Sequence, residues 1–158
     1  MKPTIVLAEA TTPEGAVLTL LEHDGKYFLQ ADGAQLMTSL AHGSEDELAR
    51  LACAPFRSVR QPRILIGGLG LGFTLAEARR VLPQKRAVFE VAELLPEIVE
   101  WHRSHLAHLH PELWEDGRVD VRVGDVAQVI RDNPGAYHAI LLDVDNGPEA
   151  FTGQHNND

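Results

Sequence analysis

The sequence predicts an α/β chain, with a small antiparallel β unit over residues 1–43 and an open parallel sheet over residues 44–158. Two observations carry the second part. Four short apolar runs alternate with stretches of helical periodicity, the pattern of buried parallel strands joined by right-handed crossovers. Each run also ends in glycine or an acid. Ile64-Leu65-Ile66 enters Gly67-Gly68-Leu69-Gly70-Leu71-Gly72, residues 87–92 precede Glu93, Val119–Val123 precedes Gly124-Asp125, and Ala139–Leu142 precedes Asp143-Val144-Asp145. Ligands of open α/β sheets bind at the carboxyl ends of the strands. A glycine loop and three acids at those ends describe a nucleoside site.

The elements follow in order. Residues 4–9, 15–22, 26–30 and 35–38 read as strands. His23-Asp24-Gly25 and Asp32-Gly33 lie between them, and Asp-Gly between apolar runs is a strong hairpin signal. Ser44 is the expected N-cap of the first helix, with Glu45, Asp46 and Glu47 in its first turn. Leu48, Leu51 and Ala52 form its apolar face, and Pro55 ends it. A helix over 74–81 follows the glycine loop and stops near Pro83. Pro96 opens a third helix, which runs to about His108. A short helix spans 126–131, and Asn133-Pro134-Gly135 turns the chain into its last strand.

Composition narrows the class. The 158 residues are 44% hydrophobic, enough to bury a core, and no apolar run approaches the roughly 18 residues of a membrane span. The N-terminus shows no signal-peptide pattern. One cysteine, Cys53, excludes an internal disulfide framework, and the expected compartment is the cytoplasm. The net charge of −9 argues against a nucleic-acid partner, which would call for a basic surface.

The loop spacing Gly68-x-Gly70-x-Gly72 is tighter than the dinucleotide pattern and suits a nucleoside with an amino-acid tail. A tight strand-to-helix turn without a ligand would use the same glycines. Glu93 stands about 20 residues beyond the loop, the offset at which an acid reaches ribose hydroxyls; Glu90, inside the strand, is its competitor. Asp125 serves either as an acceptor for an adenine amino group or as the N-cap of the next helix. Asp143 can take a proton at a reacting centre, or it can be a turn-forming acid in Asp143-Val144-Asp145-Asn146-Gly147-Pro148. His102, His105, His108 and His110 drift around a helix axis rather than converging, so a solvated helical face and no metal are expected. Cys53 reads as a packed residue, and Trp101 and Trp114 as sheet cover or interface.

With these residues in place, the chain resembles the spermidine synthase (polyamine aminopropyltransferase) family. That family lies within the class I S-adenosylmethionine-dependent methyltransferase fold, a Rossmann-like parallel sheet. Residues 64–72 resemble its glycine-rich first motif and residues 91–100 its ribose-binding acid and following helix. Residues 118–125 resemble its adenine-side motif and residues 137–143 its catalytic-aspartate strand. Asp32-Gly33-Ala34-Gln35 and Thr38 resemble its small β domain. The resemblance implies polyamine biosynthesis: a donor, S-adenosylmethionine or its decarboxylated form, an amine acceptor, and aminopropyl transfer. It implies Asp143 as proton acceptor, Glu93 at the ribose, Asp125 at the adenine, Gln35 near the donor, and Asp145 and Asn146 on the amine side.

The sequence also departs from the family. Gly67–Gly72 lacks the loop aspartate that holds an amine, and Asn146 stands where a second aspartate is usual. Two further readings therefore stay open: a small-molecule methyltransferase, and a non-catalytic nucleoside-binding or oligomeric protein. The fold normally adds about three strands after Asp143. An apolar strand at Ala139–Leu142 would then be an exposed edge, so pairing with a second copy, or truncation of a longer protein, is expected.

Overall fold

The computed structural model describes residues 2–143, in two units of residues 2–42 and 43–143. The first is an antiparallel meander of β1 (Thr4–Thr11), β2 (Val17–His23), β3 (Lys26–Ala31) and β4 (Ala34–Thr38). Both Asp-Gly signals are two-residue hairpin turns. Asp24 and Gly25 have φ of 52° and 79°, and Asp32 and Gly33 have 50° and 82°. Paired positive φ values give the turn a twist that matches the strands it joins. Asp32 adds a side-chain acceptor, its Oδ1 taking the Val17 N–H at 2.8 Å. Leu18, Leu20 and Leu29 alternate inward as this unit's apolar face. Gln35 is exposed on β4, opposite Gln30.

The second unit orders α1 (Gly43–Cys53), β5 (Arg63–Gly67), α2 (Phe73–Val81), β6 (Val88–Glu93), α3 (Pro96–Trp101), β7 (Val119–Val123), α4 (Val126–Asp132) and β8 (Ala139–Leu142). Its sheet is wholly parallel, with strand order β7-β6-β5-β8. Register puts Ile64 beside Phe89, and Ile66 beside Val91 and Leu141. All five are fully buried, forming one face of the core with Leu75, Ala78 and Ile98 from the helices. The opposite face is more polar. Glu90 there is held by Arg63 and by the Tyr137 hydroxyl, which donates to it at 2.7 Å. Glu90 thus serves a strand-crossing ion pair. On β8, Ile140 and Leu142 are 42% and 52% exposed.

Two expectations need correction. The first helix begins at Gly43, so Ser44 lies inside its first turn and bonds the Glu45 carboxylate at 2.9 Å instead of capping. The third helix reaches Leu109, but in three geometries: α to Trp101, π over His102–Leu106, and 3-10 over Ala107–Leu109. Among the described residues, no helix is long and apolar enough to cross a membrane.

Candidate nucleoside site

The glycine loop leaves the central strand β5 and is tied on both sides. The Gly68 N–H donates to the Ala92 carbonyl on β6, and the Asp143 N–H donates to the Gly67 carbonyl, each at 2.9 Å. Gly68 has φ +103°, and a Cβ there would stand 2.5 Å from the Asp143 carbonyl oxygen. Only glycine combines that left-handed backbone with such a close approach. The loop closes with the Gly72 N–H on the Leu69 carbonyl, and Gly72 precedes α2 with φ +92°. The N-terminus of α2 thus follows directly on the loop.

Glu93 ends β6 and is buried. Its Oε1 accepts the Leu69 N–H at 2.8 Å, and its Oε2 accepts the Leu95 N–H at 3.0 Å. Burial raises the carboxyl pKa, while the N–H groups of Leu69, Leu95, Gly70 and Leu94 oppose that rise. Glu93 thus clamps the loop, each of its two oxygens taking a backbone N–H.

Asp143 follows β8, which pairs directly with β5. Its Oδ2 accepts the Thr74 hydroxyl at 2.7 Å. Thr74, fully buried in the first turn of α2, had not stood out in the sequence. Its only local sign is a hydroxyl residue just after the last loop glycine. Burial raises the Asp143 pKa to about 6; the Thr74 hydrogen bond opposes this, and the charges of Glu45 and Glu93 add to it. Such a carboxyl holds and releases a proton near neutral pH.

Asp125 is the N-cap of α4, its Oδ1 accepting the Ala127 N–H at 3.0 Å. It is exposed, and its Oδ2 has no protein partner among the described residues. The site is within reach in sequence and space: the Gly124 N–H donates to the Glu93 carbonyl at 2.9 Å, and Val126 packs on Gly67. The structure thus gathers the loop, Glu93, Asp125 and Asp143 at one end of four parallel strands. Gln35 belongs to the first unit, and Asp145 and Asn146 lie outside the described residues.

The expected solvated histidine face holds for His108, which is exposed, but not for His102 and His110, while His105 is half-buried. His102 and His110 are 0% and 8% exposed, and their rings stack with centroids 5.9 Å apart. His102 lies four residues after the buried Ile98, on the same helical face, and His110 lies beyond the last helical residue, Leu109. Among the described residues, no group of three His, Cys, Asp or Glu side chains could hold a metal ion. Cys53 is buried, with its thiol pKa pushed up to about 11 by burial.

The parallel order, the glycine loop and the strand-end acids define a Rossmann-like fold of the class I methyltransferase type, joined to an antiparallel β unit. In sequence and fold the chain is spermidine synthase-like. It is 34% identical over 93 residues to polyamine aminopropyltransferase 2 of Pseudomonas aeruginosa, a stretch that is 56% of this chain and 26% of that protein. A spermidine synthase in complex with the transition state analogue AdoDATO superposes with a TM-score of 0.70 at 20% identity, over 87% of this chain and 47% of the other. The spermidine synthase of Thermotoga maritima gives 0.67 with the same identity and coverage. The chain thus spans about half the length of these structures and a quarter of the curated relative. No protein-family model matches it.

Proposed function

We propose that the second unit binds S-adenosylmethionine or its decarboxylated form at the carboxyl ends of β5, β6, β7 and β8, and that the protein transfers an aminopropyl group to an amine. One observation carries this reading. Asp143, oriented by the buried Thr74 hydroxyl, stands against the same glycine loop that Glu93 clamps. That the related structure was solved with AdoDATO supports a nucleoside of this type.

The roles follow from the chemistry. The glycine loop lets the backbone approach the donor closely. Glu93, at the end of β6, accepts from the ribose hydroxyls, and Asp125 accepts from the adenine amino group. In the transfer, the amine lone pair attacks the propyl carbon next to the donor sulfonium. The C–N bond forms as the C–S bond breaks, and the sulfur leaves as a neutral thioether. Asp143, ionised above its pKa of about 6, takes the proton lost by the nitrogen.

Methyl transfer is the second reading. Its specific support is that Gly67–Gly72 carries no acid to hold an amine, while the nucleoside grip would serve either donor. A turnover assay with both donors, diamines and small methyl acceptors separates the readings. An aminopropylated amine with the decarboxylated donor is the expected product. A methylated product alone would overturn aminopropyl transfer, and retained binding without either product would point to a non-catalytic nucleoside-binding protein.

A further inference from the structure

Beneath the glycine loop lies a polar cluster that the proposed reaction does not use. The Trp114 indole N–H donates to His102 Nδ1 at 3.0 Å. Since that nitrogen accepts, the neutral His102 ring carries its proton on Nε2. Nε2 is buried and has no hydrogen-bond partner among the described residues. It faces the loop, 2.6 Å from where a Cβ on Gly72 would stand. Burial and the neighbouring His110 press the His102 pKa down to about 4, so the ring is neutral near pH 7.

His110 completes the arrangement. Its Nε2 lies 2.9 Å from the Leu71 carbonyl oxygen. A carbonyl only accepts, so this Nε2 also carries a proton. The His110 ring stacks on His102, with the two planes 10° apart, and meets the Phe73 ring edge-on at 4.7 Å. Two parallel imidazoles thus direct N–H groups at the last two residues of the loop, one engaged and one unmatched. They reach it from the segment that begins at the π turn, and π turns recur at functional sites.

We propose that His110 and His102 are positioning residues for the nucleoside loop. His110 fixes the Leu71 peptide, and the His102–Trp114 pair fixes His110 by stacking. Gly72 is then required not only for its φ but because a side chain there would displace both rings. The pair acts through the backbone of Leu71 and Gly72 and sets the direction of the N–H groups that a ligand meets. This inference rests on the nucleoside reading of the loop.

The test uses the whole chain with His110→Phe and His110→Gln. Phenylalanine keeps a flat ring but loses the donor; glutamine keeps an N–H donor. S-adenosylhomocysteine affinity is measured by calorimetry, and amide hydrogen exchange at Leu71, Gly72 and Ile64–Ile66 is followed without ligand. His110→Phe should weaken binding about tenfold, the size expected when a buried carbonyl loses its donor. It should speed exchange at Leu71 and Gly72 but not in β5, and glutamine should restore much of both. Wild-type affinity and wild-type loop exchange in His110→Phe would overturn the proposal. If the wild-type chain binds no nucleoside, the functional reading fails, and loop exchange alone still decides the positioning role. Should His110→Phe not fold, nitrogen NMR of the wild-type rings decides instead: Nε2–H on both is expected, and Nδ1–H on either ring contradicts the arrangement.

Discussion

At the residue scale, the account turns on Asp143. Its folded pKa of about 6 lies above the value near 4 of an unfolded aspartate. The folded chain therefore binds more protons between those values, and stability falls as pH rises through that window. Above about pH 6 the buried charge is a cost that neutral Asp143→Asn avoids. By thermal unfolding, that variant should gain up to about 3 kcal/mol near pH 8 and nothing near pH 4. Turnover should move the other way. Wild-type kcat/KM should rise with pH to a plateau above about 6, and Asp143→Asn should lose about 100-fold or more. Thr74→Val removes the hydrogen bond that favours the carboxylate, so the acid limb of the rate profile should shift to higher pH. An unmoved limb would detach Thr74 from the chemistry. Asp143 was legible in the sequence because it ends a local apolar run. Thr74 was not, because its partner lies 69 residues away and only the β5–β8 pairing brings them together.

At the element scale, strands and loop agree with the sequence where the signal is local. Apolar runs of β-branched and leucine residues became β5 to β8, and Asp-Gly pairs became two-residue turns, because each rests on backbone preference and immediate burial. The helix after Pro96 shows the limit of that logic. The sequence reads its histidines as one solvated face, whereas His102 shares the buried face of Ile98 and His110 lies past the last turn, under the glycine loop. Pro111 marks the end of the helix, but the burial of the two rings follows from packing against Trp114 and the loop, which are distant in sequence. The glycines carry a sharper test. Gly68→Ala meets the Asp143 carbonyl at 2.5 Å with φ +103°, whereas a Cβ at Gly124 meets nothing within 4 Å. Urea unfolding should show Gly68→Ala losing more than about 1 kcal/mol and Gly124→Ala staying within about 0.5 kcal/mol. Equal effects would show that the loop does not hold the tight conformation described.

At the scale of the whole molecule, the parallel order β7-β6-β5-β8 leaves β7 and β8 as the outer strands among the described residues. Ile140 and Leu142 are exposed on β8, which supports association of two copies along that edge. Light scattering should report a dimer, and Leu142→Lys should shift it toward monomer; a wild-type monomer would exclude the pairing. The same sheet order puts the glycine loop on the central strand between Glu93 and Asp143, so the site exists only if the crossovers are right-handed and the register holds. The cluster of loop and acids was readable because each of them ends a strand. The residues expected on the amine side, Asp145 and Asn146, lie outside the described residues. The central claim is that these strand ends grip an adenosyl donor. Isothermal titration of the intact chain with decarboxylated S-adenosylmethionine, in competition with S-adenosylmethionine, tests it most directly. The account predicts one saturable site for which the two compete, the decarboxylated donor binding at least as tightly. No binding of either nucleoside would contradict it.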